Sequence, residues 1–138
     1  MGNYLEVFFD MTYVDGFVIP IKKSKLSAYK KMAILGGKSW MKHGALQYWE
    51  CVGEELKVTD PATKKKTSPF PAKFGLKPSE TVLFSWIVFK DKAHRNKVNA
   101  KVMKEMEKSM KDFDMKDMPF DMKKVLYAGF TPIVKMKK

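Results

Sequence analysis

The stretch Thr81 to Phe89 constrains this chain more than any other. Val82, Phe84, Trp86 and Val88 alternate with Leu83, Ser85, Ile87 and Phe89. Successive strand residues point to opposite faces, so both faces of this strand are apolar, and such a strand is covered on both sides. It is therefore expected at the centre of a sheet and at the heart of one core. The chain's 138 residues, 45% hydrophobic and 30% charged, fit a single globular domain rather than a disordered or fibrous chain.

The segments around it order the rest. Thr12 to Ile21, with Tyr13, Val14, Phe17, Val18 and Ile19, reads as a strand that Pro20 closes or places at an edge. Ser24 is the expected N-cap of a helix whose stripe is Leu26, Tyr29, Ala33 and Trp40. Gly36-Gly37 weakens that helix by about 1 kcal/mol per glycine and permits close packing on a sheet. A second strand is expected over Ala45 to Val52, then a long connection from Gly53 to Ser79. Its Lys64-Lys65-Lys66 run is solvated, and Phe70, Phe74 and Leu76 dock its second half as an irregular strand or flap. Asp91 caps a second helix that runs to about Met110, with Val98, Val102, Met106 and Met110 along one side. After the turn Met118-Pro119-Phe120-Asp121, the last strand is expected over Val125 to Val134.

That order is β-α-β-β-α-β. It predicts an α+β, ferredoxin-like protomer: a four-stranded antiparallel sheet with two helices on one face. The other face is left open, yet Thr81 to Phe89 is apolar on both, so a second copy is expected over it in a symmetric homodimer. The domain is expected to span residues 12–138. Residues 1–11 are read as an N-terminal extension dispensable for folding, with an added edge strand through Leu5, Val7, Phe8 and Phe9 as the alternative.

Several chemistries are set aside. A single cysteine, Cys51, forms no internal disulfide, and with His43 and His94 the only histidines the ligands of a Cys/His zinc site are missing, so no metal is expected. No phosphate loop, dinucleotide glycine fingerprint or Gly-x-Ser-x-Gly elbow is present, and no cofactor is expected. No run reaches the roughly 20 apolar residues of a membrane span, and the expected location is the cytoplasm. His43 is read as capping the end of the first helix, His94 as exposed, Cys51 as a small core residue, and the methionines from Met103 to Met122 as adaptable packing.

The formal charge of +12 makes attraction to RNA or another polyanion physically possible, and a basic RNA- or protein-binding module without catalysis is the alternative function. The lysines are scattered, and Arg95 is the single arginine, so planar bidentate phosphate recognition is nearly absent. The leading reading is a small molecule held in a pocket. Burying a carboxylate is costly unless it is paired, so Asp15 and Glu50 inside apolar strands are the candidate catalytic groups. Tyr127 joins them as a third candidate, and Ser85 and Trp86 are the candidate ligand contacts, all expected to line a pocket on the open sheet face. In the structural alternative Asp15-Gly16 forms a bulge, Glu50 sits at a solvated edge and Ser85 bonds to backbone.

Five ordered blocks carry a resemblance: Tyr13-Val14-Asp15-Gly16-Phe17-Val18, His43-Gly44-Ala45-Leu46 leading to Glu50-Cys51-Val52, Phe84-Ser85-Trp86-Ile87, Met118-Pro119-Phe120-Asp121, and Tyr127-Ala128-Gly129-Phe130. Over about Met11 to Val134 the chain resembles the YbaA-like family of bacterial proteins of unknown function, in the dimeric α/β-barrel superfamily. The resemblance implies a ferredoxin-like protomer whose sheet faces a partner's sheet to close a barrel. The wider superfamily further implies room for a cofactor-independent enzyme, monooxygenase- or isomerase-like. It supplies no catalytic roles to transfer.

Overall fold

The structure is a computed structural model that describes residues 11–66 and 70–138. The expected N-terminal extension, up to residue 10, lies outside the described residues. Seven elements follow in chain order: strand β1 (Tyr13–Lys22), helix α1 (Leu26–Lys42), strand β2 (Gln47–Val52), a short helix α2 (Phe70–Phe74), strand β3 (Glu80–Phe89), helix α3 (Lys92–Ser109) and strand β4 (Leu126–Phe130). The strands form one sheet in the order β2-β3-β1-β4, with every neighbouring pair antiparallel. This is the ferredoxin-like arrangement, with α2 added in the β2–β3 connection, and β3 is a central strand as its two apolar faces require.

Pairing fixes which residues share a face. Val14 stands opposite Val88, and Asp15 opposite Ile87, without interruption from Tyr13 to Lys22, so Asp15-Gly16 forms no bulge. The face under the helices carries Phe17, Ile19 and Ile21 of β1 and Leu83, Ile87 and Phe89 of β3. Two buried clusters form there. In one, Val98 and Val102 of α3 pack on Ala45, Ile87 and Phe89. In the other, Tyr29 of α1 packs on Ile19, Ile21 and Leu83, and Phe17 reaches both. The opposite face displays Phe84, Trp86 and Trp49, with the two indoles stacked 5.7 Å apart.

Local boundaries differ from expectation where backbone chemistry overrides pattern. Ser24 lies inside a 3-10 turn (Lys23–Lys25), and α1 starts without a side-chain cap. The second half of the β2–β3 connection forms helix α2, on which Phe70 and Phe74 stack 5.9 Å apart, rather than an irregular strand. β4 ends at Phe130 rather than at Val134, because Pro132 has no N–H to continue a ladder. Asp91 does cap α3: its Oδ1 accepts the His94 backbone N–H at 2.7 Å. Asp91→Ala is expected to cost about 1 kcal/mol, read as a small drop in the denaturation midpoint.

Candidate functional site

The glycine pair Gly36-Gly37 sets the geometry of the site. A β-carbon on Gly37 would lie 2.9 Å from the Tyr48 ring, so only glycine lets α1 descend this close to β2. Beneath the helix, the middle rung of the sheet runs Tyr127, Phe17, Ser85, Glu50 across β4, β1, β3 and β2. Between that rung and α1 lies a cavity of about 430 Å³. Its walls are Phe17, Ile19, Ala33, Trp40, Met106 and Phe120, with Glu50, Ser85, Tyr29 and Tyr48 as the polar contributors. A groove of about 710 Å³ follows the other flank of α1, and Tyr29, Ala33, Tyr48 and Glu50 line both.

The polar atoms at this place are only loosely satisfied within the protein, with the Tyr29, Ser85 and Tyr48 hydroxyls gathered around the Glu50 carboxyl. Ser85 is 2% exposed, and Ser85 Oγ and Glu50 Oε2 are buried and make no close hydrogen bond. Burial raises the Glu50 carboxyl above the usual range, against the opposing pull of the Tyr29, Ser85 and Tyr48 hydroxyls. Burial together with the Glu50 carboxylate pushes the Tyr29 and Tyr48 phenols well up. Both phenols therefore stay protonated donors, and Glu50 is a carboxyl that holds its proton more readily than one in water. The ensemble presents donors, one acid–base group and an apolar wall to whatever enters.

Asp15 belongs to a different set. It is 1% exposed, and its Oδ1 lies 3.4 Å from Arg95 Nη1. Asn99 Nδ2 donates to Asp15 Oδ2 at 3.3 Å, and Trp40 Nε1 donates to Asn99 Oδ1 at 3.0 Å. Arg95 Nη1 also donates to the Tyr127 hydroxyl at 2.8 Å, and its guanidinium lies 4.8 Å from the centre of the Tyr13 ring. Burial raises the Asp15 carboxyl, while Asn99 and Arg95 hold it down. Through Arg95 and Asn99, one turn apart on α3, this network ties α3 to β1 and β4 and ends at Trp40 in the cavity wall.

The sequence-derived candidates thus divide. Asp15, Glu50, Ser85 and Tyr127 share one face, but it is the face under the helices and not the open one. Trp86, next to Ser85 in a strand, necessarily points the other way and shares no pocket with it. Ser85 and Glu50 stand side by side at the cavity, whereas Asp15 is held in the Arg95 network and is not part of the lining. Tyr29, Tyr48 and Trp40 complete the site, and Arg95 and Asn99 complete the network. Sequence marks none of these five as a site residue, although Arg95 is visible as the one arginine in a lysine-rich chain.

The remaining polar residues lie elsewhere. His43 caps the end of α1, and its Nε2 meets Glu105 Oε2 of α3 at 2.6 Å. His43 and Lys42 hold the Glu105 carboxyl down at about 2. His94 is half-buried rather than exposed: its Nδ1 accepts the Lys90 backbone N–H and its ring stands edge-on to Phe89. Among the described residues, no group of three or more His, Cys, Asp or Glu side chains could hold a metal ion, and no helix is long and apolar enough to cross a membrane.

Comparison with known proteins follows the same outline. The "Uncharacterized protein YbaA" of Escherichia coli strain K12 is 35% identical over 127 residues, covering 90% of this chain and 98% of the relative. The protein of the same description from Shigella flexneri matches equally. Among solved structures, the de novo designed protein Foldit4 aligns over 88% of this chain and 98% of its own, at TM-score 0.41 and 11% identity, a likeness too distant to carry inference. The family model described as "Protein of unknown function (DUF1428)" matches residues 12–122, from the start of β1 past the Pro119-Phe120 turn that closes the cavity. The chain is a member of the DUF1428 family.

Proposed function

We propose that this protein binds a small, largely apolar molecule in the cavity under α1 and orients it through a hydrogen-bonding group aimed at Ser85 and Glu50. The observation that carries the reading is the pair of buried oxygens, Ser85 Oγ and Glu50 Oε2, that make no close hydrogen bond and face a largely apolar wall beside the Tyr29 and Tyr48 hydroxyls. Buried polar groups normally have partners, and the volume lies within the ~300–1,000 Å³ range of small-molecule sites. In enzymatic form the same geometry supports proton transfer, the step a cofactor-independent isomerase needs, with Glu50 as the group that gives and takes the proton.

A neutral aromatic alcohol, 2-naphthol, tests this. Titrated into the labelled protein, it should shift the backbone amides of Gly36, Ser85 and Ile87, and Ser85→Ala should weaken binding by about 2–10-fold, the worth of one hydrogen bond. Shifts confined to the open sheet face, or equal binding by the variant, would overturn the reading.

The open sheet face supports a homodimer as part of the same proposal. Trp49, Phe84, Leu126 and Phe130 are each more than half exposed, and the strand positions between them carry Val14, Val18, Cys51 and Ala128, the alternation meeting a lysine only at Lys22, at the end of β1 opposite Glu80. Readers of single-stranded nucleic acid interleave exposed aromatics with cations, whereas a self-complementary apolar face suits a second copy. Light scattering should return twice the chain mass of 16.0 kDa, and Trp86→Glu should return it to one. A wild-type value of a single chain at micromolar concentration would remove this part of the proposal.

A further inference from the structure

The groove on the outer flank of α1 has a feature that the cavity lacks. Its wall is apolar, with Ile34, Met41, Val52 and Leu83, but its rim carries Lys30 and Lys38. These lysines lie eight residues apart on α1, about 12 Å along the helix, with Ile34 midway between them, so both side chains leave the helix toward the one groove that they line. Apart from Glu50, which faces the interior end, they are the only charged side chains among the described residues that line the groove. Tyr29, Ala33, Tyr48 and Glu50 line both the groove and the cavity, so the two lie side by side, with the cationic rim on one side of these residues and Ser85 on the other. Glu50 disfavours a negative charge inside, where nothing cationic faces it, so an anionic group is accommodated only at the rim.

We infer that the ligand is an amphipathic monocarboxylate: a carboxylate at Lys30 and Lys38, an apolar body along the groove, and an oxygen function at its far end that meets Ser85 and Glu50. The inference rests on the cavity reading above and adds to it the polarity of the ligand and its direction. An exposed ion pair is worth little, on the order of 0.2–1 kcal/mol, so the lysines select the end that faces out, while affinity comes from apolar contact at about fourfold per buried methylene.

Three probes on the full chain separate the parts, with quenching of Trp40 fluorescence and the Gly36 and Ser85 amides as readouts: decanol, decanoate and 10-hydroxydecanoate at pH 8 and low salt. Decanoate should bind up to about fivefold more tightly than decanol, and added salt should erase the difference. In K30Q/K38Q the two should bind alike, with decanol affinity unchanged. The terminal hydroxyl should tighten binding further in the wild type and not in Ser85→Ala. Equal binding of decanol and decanoate to the wild type, or an undiminished carboxylate preference in K30Q/K38Q, would overturn this inference while leaving the cavity reading intact. Failure of all three probes to perturb Gly36 and Ser85 would instead overturn the cavity reading.

Discussion

Arg95→Leu should destabilise the protein by about 3–5 kcal/mol, because it leaves the Asp15 carboxylate buried and uncompensated, and should lower the thermal midpoint by roughly 10 °C or more. The size follows from burial: Asp15 is 1% exposed, and only Asn99, through a 3.3 Å contact, would remain on it from α3. Asp15→Leu should be comparably harmful, since the guanidinium is itself largely enclosed. The combined Asp15→Leu/Arg95→Met variant should lose much less than the two single losses added, because it removes both charges together. Additive losses would show that the pair is not coupled and that its contribution lies in packing.

Glu50→Gln carries the second large effect, and it depends on pH. Below the ordinary carboxyl value, near 4.3, Glu50 is protonated in the folded and unfolded chains alike and contributes nothing to pH dependence. As pH rises, the unfolded chain releases its proton first, because burial raises the folded value. The wild type therefore loses stability from about pH 4.3 upward until the folded carboxyl ionises as well. The amide that replaces the carboxyl in the variant has no proton to lose, so the stability of the variant minus that of the wild type should climb across that window and then level. The Asp15 carboxyl is shifted in the same direction, but it is present in both proteins and cancels. Melting curves at closely spaced pH values measure the difference directly; a flat difference would mean that Glu50 is solvated.

Much of the architecture was legible because it rests on local rules. The two-faced pattern of Thr81 to Phe89 marks a central strand wherever the helices lie, and Asp91 before an apolar stripe is a cap in any context. The facing of the candidate site was not legible, and the reason is physical. Period two places Ser85 opposite in direction to Trp86, but it does not say which of two apolar faces the helices cover. The cavity escaped for a different reason. It exists because Gly36-Gly37 lowers α1 onto the Tyr48 ring while the flanks of the helix stay propped on side chains such as Met106 and Phe120, a balance of distances with no signature in spacing. Arg95 and Asn99 flank the Val98–Val102 stripe of α3, where polar residues ordinarily meet solvent.

The sheet order has a consequence for synthesis. Among the described strands β1 is made first, yet its two neighbours are the last two: Val14 pairs with Val88 on one side and with Phe130 on the other. At ~5–20 residues per second, several seconds separate completion of β1 from completion of β3, and more pass before β4 arrives. During that interval Val14, Phe17, Val18 and Ile19 form an apolar strand with both edges vacant, which is the condition under which chains pair with the wrong partner. What the nascent chain offers meanwhile includes α1 with Lys30, Lys31, Lys38 and Lys42, and like charges on neighbouring chains keep them apart until the sheet can close.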